Sequence, residues 1–221
     1  MHNHIELNTG NAFKELQNFF DEKPRWLFGH LGYELKNEIE ELNQNKKAAV
    51  DFGPGYFFEP QIIIRLKKGH LQIASHTTQP EILFKEIRST VLSKNKKQKQ
   101  PTVLLQPLIS KEKYLENLAI IKKHIAIGNC YEINYCQQFH AENVSISPLK
   151  IFNRLNESSP NPFSAFYKLK NNFCLCASPE RYLQKVGQQL ISQPIKGTSK
   201  RNLLDDLEDV KQRDSLLESH K

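Results

Sequence analysis

Three stretches of this chain place two β-rich runs on either side of a short turn signal: "PQIIIRLKKGHLQIAS" (60–75), "FSAFYKLKNNFCLCAS" (163–178) and "RYLQKVGQQLISQPIKGT" (181–198). Turns this short can only return a strand against its neighbour, so each stretch predicts an antiparallel hairpin, turning at "KKGH", "KNN" and "VGQQ". A parallel doubly wound sheet needs strictly alternating strands and helices and is excluded. "RWLFGHLGYELKNEIEEL" (25–42) predicts a short strand that passes through two glycines into an acidic helix. "CYEINYCQQFHAE" (130–142) alternates as a strand, with Tyr131, Ile133 and Tyr135 on one face and Glu132, Asn134 and Cys136 on the other. Helical patterns interrupt these strands. Residues 80–92 form one. Another spans 110–127, where Tyr114, Leu118, Ile121 and Ile125 make one buried stripe and "GN" ends it. A third is opened by Ser147 and Pro148, and the last 20 residues form a charged helix. The expected class is α+β, with largely antiparallel sheets flanked by helices.

The 221 residues suffice for one large domain or two small ones. The net charge of +7 raises the question of nucleic acid. Its densest stretch, "SKNKKQKQP" (93–101), carries no aromatic residue for a base to stack on, so a solvated linker is expected. A basic surface also attracts a small dianionic substrate. No apolar run reaches the roughly 18–20 residues of a membrane helix. The start, "MHNHIELNTG", lacks the pattern of a secretory signal, and a cytoplasmic protein is expected. The four cysteines form no CxxC and have no histidine at zinc-like spacing, which predicts reduced, mostly buried thiols. Neither GxGxxG nor a Walker loop is present, so nucleotide binding has no support.

Several residues carry possible chemistry, each with a plainer alternative. Lys196 lies in "QPIKGT", where Pro194 stiffens the approach and Gly197 permits a tight turn. It is either a surface charge or an amine aimed into a cleft, nucleophilic once desolvated. Glu180 in "ASPERYL" is either a surface carboxylate or, one hairpin away from Lys196, its neighbour in that cleft. Glu132 shares a strand face with Asn134 and Cys136, as a general base or as ordinary surface polarity. "SSPNPFSAF" (158–166) is a rigid loop or a pocket wall.

In order along the chain, "GNCYEINYCQQF", "NPFSAF", "ASPERYL" and "PIKGT", with "WLFGHLGYELKN" before them, resemble the chorismate-utilising enzymes. Of these, the aminodeoxychorismate synthase (para-aminobenzoate synthase) branch is the nearest match, and the likeness covers residues 25–221. Anthranilate synthases typically carry alanine at the position of Lys196. The resemblance implies that the Lys196 amine attacks C2 of chorismate as the C4 hydroxyl departs, and that ammonia from a glutamine amidotransferase partner then displaces it. It implies general acid work for Glu180, a chorismate pocket lined by Gly197 and Thr198, and a tryptophan-pocket-like segment at Pro162, Phe163 and Ser164. Glu132 departs from the glutamine common there, and a substrate-binding role is the expectation. Residues 1–100 would be an N-terminal lobe lacking its first strands, and 101–221 the first part of the catalytic domain. The magnesium ligands would belong to a segment beyond residue 221, leaving none here and an inactive isolated chain. Within the family the alternative is anthranilate synthase component I. Outside it, the alternative is a non-catalytic scaffold fragment.

Overall fold

A computed structural model describes residues 3–42, 49–91, 102–195 and 197–218. Lys196 and the lysine-rich stretch lie outside the described residues. The chain divides into two compact units, residues 1–95 with 167–174, and residues 96–166 with 175–221. It is α+β, with antiparallel strand ladders in both units.

The first unit is built on a three-stranded sheet in which β3 (Gly55–Phe58) lies between β1 (His4–Leu7) and β2 (Phe28–Leu31). Gly55 leaves the room this sheet needs, because a Cβ there would stand 2.6 Å from the Leu7 side chain. Helix α1 (Ala12–Asp21) packs on the sheet, and Leu7, Ala12 and Leu35 form the buried cluster beneath it. The amides at the start of α1 have no helical acceptors. Glu38 supplies them from across the unit, accepting from the Gly10 amide at 2.6 Å and the Ala12 amide at 3.1 Å. Strand β1 and helix α1 occupy the region where the N-terminal strands were expected to be missing. The acidic helix expected after β2 is shorter than its sequence pattern, a 3-10 turn over Tyr33–Glu38. Its last carboxylate is spent on capping α1.

The hairpin of β4 (Ile62–Lys67) and β5 (His70–Ser75) turns as expected. Lys68 (φ 48°) and Gly69 (φ 79°) both take positive φ, which matches the strand twist in a two-residue turn. Helix α2 (Pro80–Ser89) begins on a proline at its first turn and contacts β5.

The second unit contains β6 (Gln106–Pro107), α3 (Lys111–Ala126), β7 (Phe139–His140) and α4 (Pro148–Ser158). The expected strand over 130–142 is a correction. Only Phe139 and His140 pair, with Pro107 and Gln106, and residues 131–138 are irregular. Alternation supplies a face, but a strand also needs a partner to accept its ladder bonds. The α3 stripe is corrected in degree. Tyr114, Leu118 and Ile121 are half-buried and Ile125 is exposed. Ser110 caps this helix, accepting from the Lys113 amide. The cysteines also differ from expectation: Cys130 and Cys176 are half-buried, Cys136 and Cys174 are exposed, and no disulfide joins them. Their strands and loops leave one side open.

Strands β8 (Phe163–Leu169) and β9 (Asn172–Ser178) form the second hairpin, with its tip in the first unit. There Lys170 pairs with Glu6 at 2.8 Å, and the Asn172 amide group donates to the Asp51 carbonyl at 2.6 Å. Tyr167 Oη lies 3.0 Å from His30 Nδ1, whose Nε2 lies 3.1 Å from the Phe52 carbonyl. A carbonyl only accepts, so the proton sits on Nε2, and Tyr167 donates to Nδ1.

Burial raises the Tyr167 phenol above its ordinary 10.0. A raised folded value means that the docked tip keeps its full contribution below the ordinary value and loses it as pH rises through the folded one. Tyrosinate absorbance should therefore show a step above pH 10.0 to which Tyr56, also raised by burial, contributes, and which Tyr167→Phe reduces. A Tyr167 titrating at the ordinary value would contradict the docking.

Candidate active site

The third hairpin, β10 (Arg181–Val186) and β11 (Gln189–Gln193), turns at Gly187 with φ 59°. Its register places Arg181 opposite Gln193 and is broken once between Arg181 and Gln184. The start of β10 and the end of β11 are therefore side by side. Glu180, one residue before β10, uses its Oε2 to accept from the Ile195 amide at 3.3 Å. The carboxylate and the residue preceding Lys196 share one hydrogen bond, a consequence of hairpin length that spacing alone could anticipate. The backbone of Glu180 is held in turn by Ser178, whose Oγ accepts from the Glu180 amide at 3.4 Å.

The "NPF" segment meets the same corner. Arg181 lays its guanidinium over the Phe163 ring at 4.9 Å and donates from Nε to the Gln193 side-chain oxygen Oε1 at 3.0 Å. Asn161 donates to the Ser159 carbonyl and Oγ and to the Ala177 carbonyl at 3.1 Å. Ser164 Oγ returns to the Asn161 carbonyl at 3.0 Å. Pro162 sits in this braced loop between Asn161 and Phe163. Arg181, Gln193 and Asn161 were not singled out from sequence. Only the strand register and the loop crossing reveal them.

Gly197 is not among the glycines with positive φ. A Cβ there would meet Leu216 Cδ1 at 2.9 Å, so the glycine makes room for α5 (Asp206–Leu217). Thr198 is exposed. The next residues are tied to the same helix: Ser199 Oγ to Gln212 at 3.4 Å, and Arg201 to Asp209 in a pair that lowers the Asp209 carboxyl and raises the guanidinium. Gly197→Ala pushes only the end of one leucine, and is expected to cost under about 1 kcal/mol of stability by urea unfolding. A cost of several kcal/mol would mean that the backbone itself has no room.

Glu132 is exposed in the irregular 131–138 segment, outside this bonded group. Among the described residues no set of three or more histidine, cysteine, aspartate or glutamate side chains is placed to hold a metal ion. No helix among the described residues is long and apolar enough to cross a membrane.

The described residues thus combine antiparallel hairpins, flanking helices and a carboxylate bonded to the Ile195 amide. The solved anthranilate synthase component I from Streptococcus pneumoniae shares the fold, with TM-score 0.61 at 19% identity, over 71% of this chain and 39% of that one. Aminodeoxychorismate synthase component 1 of Escherichia coli (strain K12) is 36% identical over 116 residues, 52% of this chain and 25% of that protein. An anthranilate synthase component I-like protein of Synechocystis is 25% identical over 187 residues, 82% of this chain and 38% of that protein. The chain thus matches between about a quarter and two fifths of these relatives' length. The profile of the chorismate binding enzymes matches residues 2–221. The chain belongs to the chorismate binding enzyme family.

Proposed function

We propose that this chain supplies part of the site of an enzyme that aminates chorismate at C4, giving 4-amino-4-deoxychorismate. The observation that carries the reading is the hydrogen bond from the Ile195 amide to Glu180, which joins the carboxylate to the residue before Lys196. In this reading residues 101–221 belong to the catalytic domain and residues 1–100 to an N-terminal lobe. The neutral Lys196 amine attacks C2, the ring double bonds shift, and the C4 hydroxyl leaves as water with a proton delivered by Glu180. Ammonia then attacks C4, the double bonds shift back, and the C2–N bond breaks to restore the amine. Gly197 and Thr198 border the chorismate, and Glu132 contacts the substrate. Pro162, Phe163 and Ser164 border a tryptophan-like pocket. Magnesium, if the complete enzyme binds it, would neutralise the substrate's carboxylates. A glutamine amidotransferase delivers the ammonia, an assignment supported by the "component 1" in the relatives' names.

Relatives named anthranilate synthase support a second reading, in which the product is anthranilate. Chromatography of the products from chorismate and ammonia separates the two. The test protein is this chain joined to the remaining segment of the Escherichia coli relative. 4-Amino-4-deoxychorismate is expected, and anthranilate as the sole product would overturn the assignment.

A further inference from the structure

Which face of its hairpin Glu180 presents is decided by a single extra residue in β10. From Val186 opposite Gln189 to Gln184 opposite Ile191 the ladder is regular. Continued unbroken, it would set Tyr182 opposite Gln193 and Glu180 opposite Ile195. Instead Arg181 stands opposite Gln193, so Tyr182 and Leu183 share Ser192 as their counterpart. This is a β-bulge, a device that re-aims the side chains beside it. A one-residue slip turns the side chains beyond it to the other face of the strand. The bulge thus brings the Glu180 carboxylate to the Ile195 amide at 3.3 Å.

Packing of the bulged residues does not hold it, because Tyr182 is 91% and Leu183 55% exposed. Arg181 supplies two ties instead. Its Nε donates to Gln193 Oε1 at 3.0 Å, and its guanidinium lies 4.9 Å over the Phe163 ring. Phe163 is itself anchored: its carbonyl accepts from Cys176 Sγ at 3.6 Å, and the Ser164 hydroxyl closes the loop onto the Asn161 carbonyl. In the unbroken register Arg181 would face Pro194, whose side chain accepts nothing, and would turn away from Phe163. Both ties exist only with the bulge in place.

We propose that Arg181 is a positioning residue: tied to Phe163 and Gln193, it keeps the bulge open and so holds the Glu180 carboxylate on the Ile195 amide. Its consequence for the reaction rests on the reading of Glu180 as the proton donor, and Arg181 acts only through that group.

Two measurements test this, one without any reaction. In the intact chain labelled with nitrogen-15 at isoleucine, amide exchange is read by NMR at Ile195, beyond the bulge, and at Ile191, before it. Arg181→Met should speed Ile195 about tenfold and leave Ile191 within about twofold. If Arg181→Met loosens both, Gln193→Leu decides, because it removes the acceptor and leaves the stack on Phe163. Faster exchange at Ile195 alone supports the assignment. Unchanged exchange at Ile195 in Arg181→Met, or any other pattern in Gln193→Leu, overturns it.

The second measurement uses the chain joined to the remaining segment of the Escherichia coli relative. Arg181→Met should lower kcat about tenfold or more, with KM for chorismate within about threefold. Added to Glu180→Gln, it should lower kcat by less than about twofold more, since the group it positions is already disabled. An equal loss with and without Glu180 would mean that Arg181 serves the fold alone, and overturns the proposal. Full activity of Glu180→Gln would instead overturn the reading of Glu180, and the Ile195 exchange would still judge Arg181.

Discussion

Incubated with chorismate and magnesium, the chain joined to its relatives' remaining segment is expected to gain the mass of dehydrated chorismate, and Lys196→Ala to abolish that gain. The amine can attack only when unprotonated, and a displacement across a conjugated ring becomes two steps once the amine holds the ring. Removing a covalent nucleophile costs about three orders of magnitude or more in kcat. Lys196→Arg separates charge from nucleophilicity, since it keeps the cation and cannot be deprotonated. It should be as inactive as the alanine variant and form no adduct. An arginine variant with substantial activity, or amination without any adduct, would reduce Lys196 to a positioning charge. Glu180→Gln completes the test, because the amide still reaches the Ile195 backbone but cannot deliver a proton to the departing hydroxyl. Intact-mass spectrometry and quenched kinetics read all three variants.

The second large effect concerns the surface. Among the described residues the buried hydrophobic ones are Leu7, Ala12, Phe19 and Leu35, all in the first unit. In the second unit Tyr182 and Leu204 are 91% and 99% exposed. Little apolar surface is left for unfolding to uncover. The heat-capacity change on melting is therefore expected to fall below half of the roughly 3 kcal/mol/K of a fully packed chain this long. Strong binding of a hydrophobic dye and concentration-dependent association should accompany it. A sharp, reversible, monomeric melt with the full heat-capacity change would show that this surface is covered in solution.

How far each element could be read from its residues follows from the range of the interaction that makes it. The β4–β5 and β10–β11 turns were legible because a glycine at positive φ and two β-rich runs are local chemistry. The 130–142 segment misled because its alternation describes a face, while pairing depends on a partner strand that reaches only Phe139 and His140. Helix α1 carries no capping box of its own, and its cap is Glu38 from a distant turn. The nearness of Glu180 to the "PIKGT" corner followed from hairpin length. The Arg181–Phe163 stack that braces it did not, since a loop crossing has no spacing rule.

By itself the sequence determined the class of fold, the family motifs and their order, because turns, amphipathic periods and short motifs are written within a few residues of one another. The tertiary structure alone decided that Gly197 leaves room for Leu216, that Glu180 accepts the Ile195 amide, and that Arg25 is buried with two nitrogens lacking acceptors among the described residues. Each of these depends on the distance between atoms far apart in the chain, and that distance exists only once the chain has closed on itself.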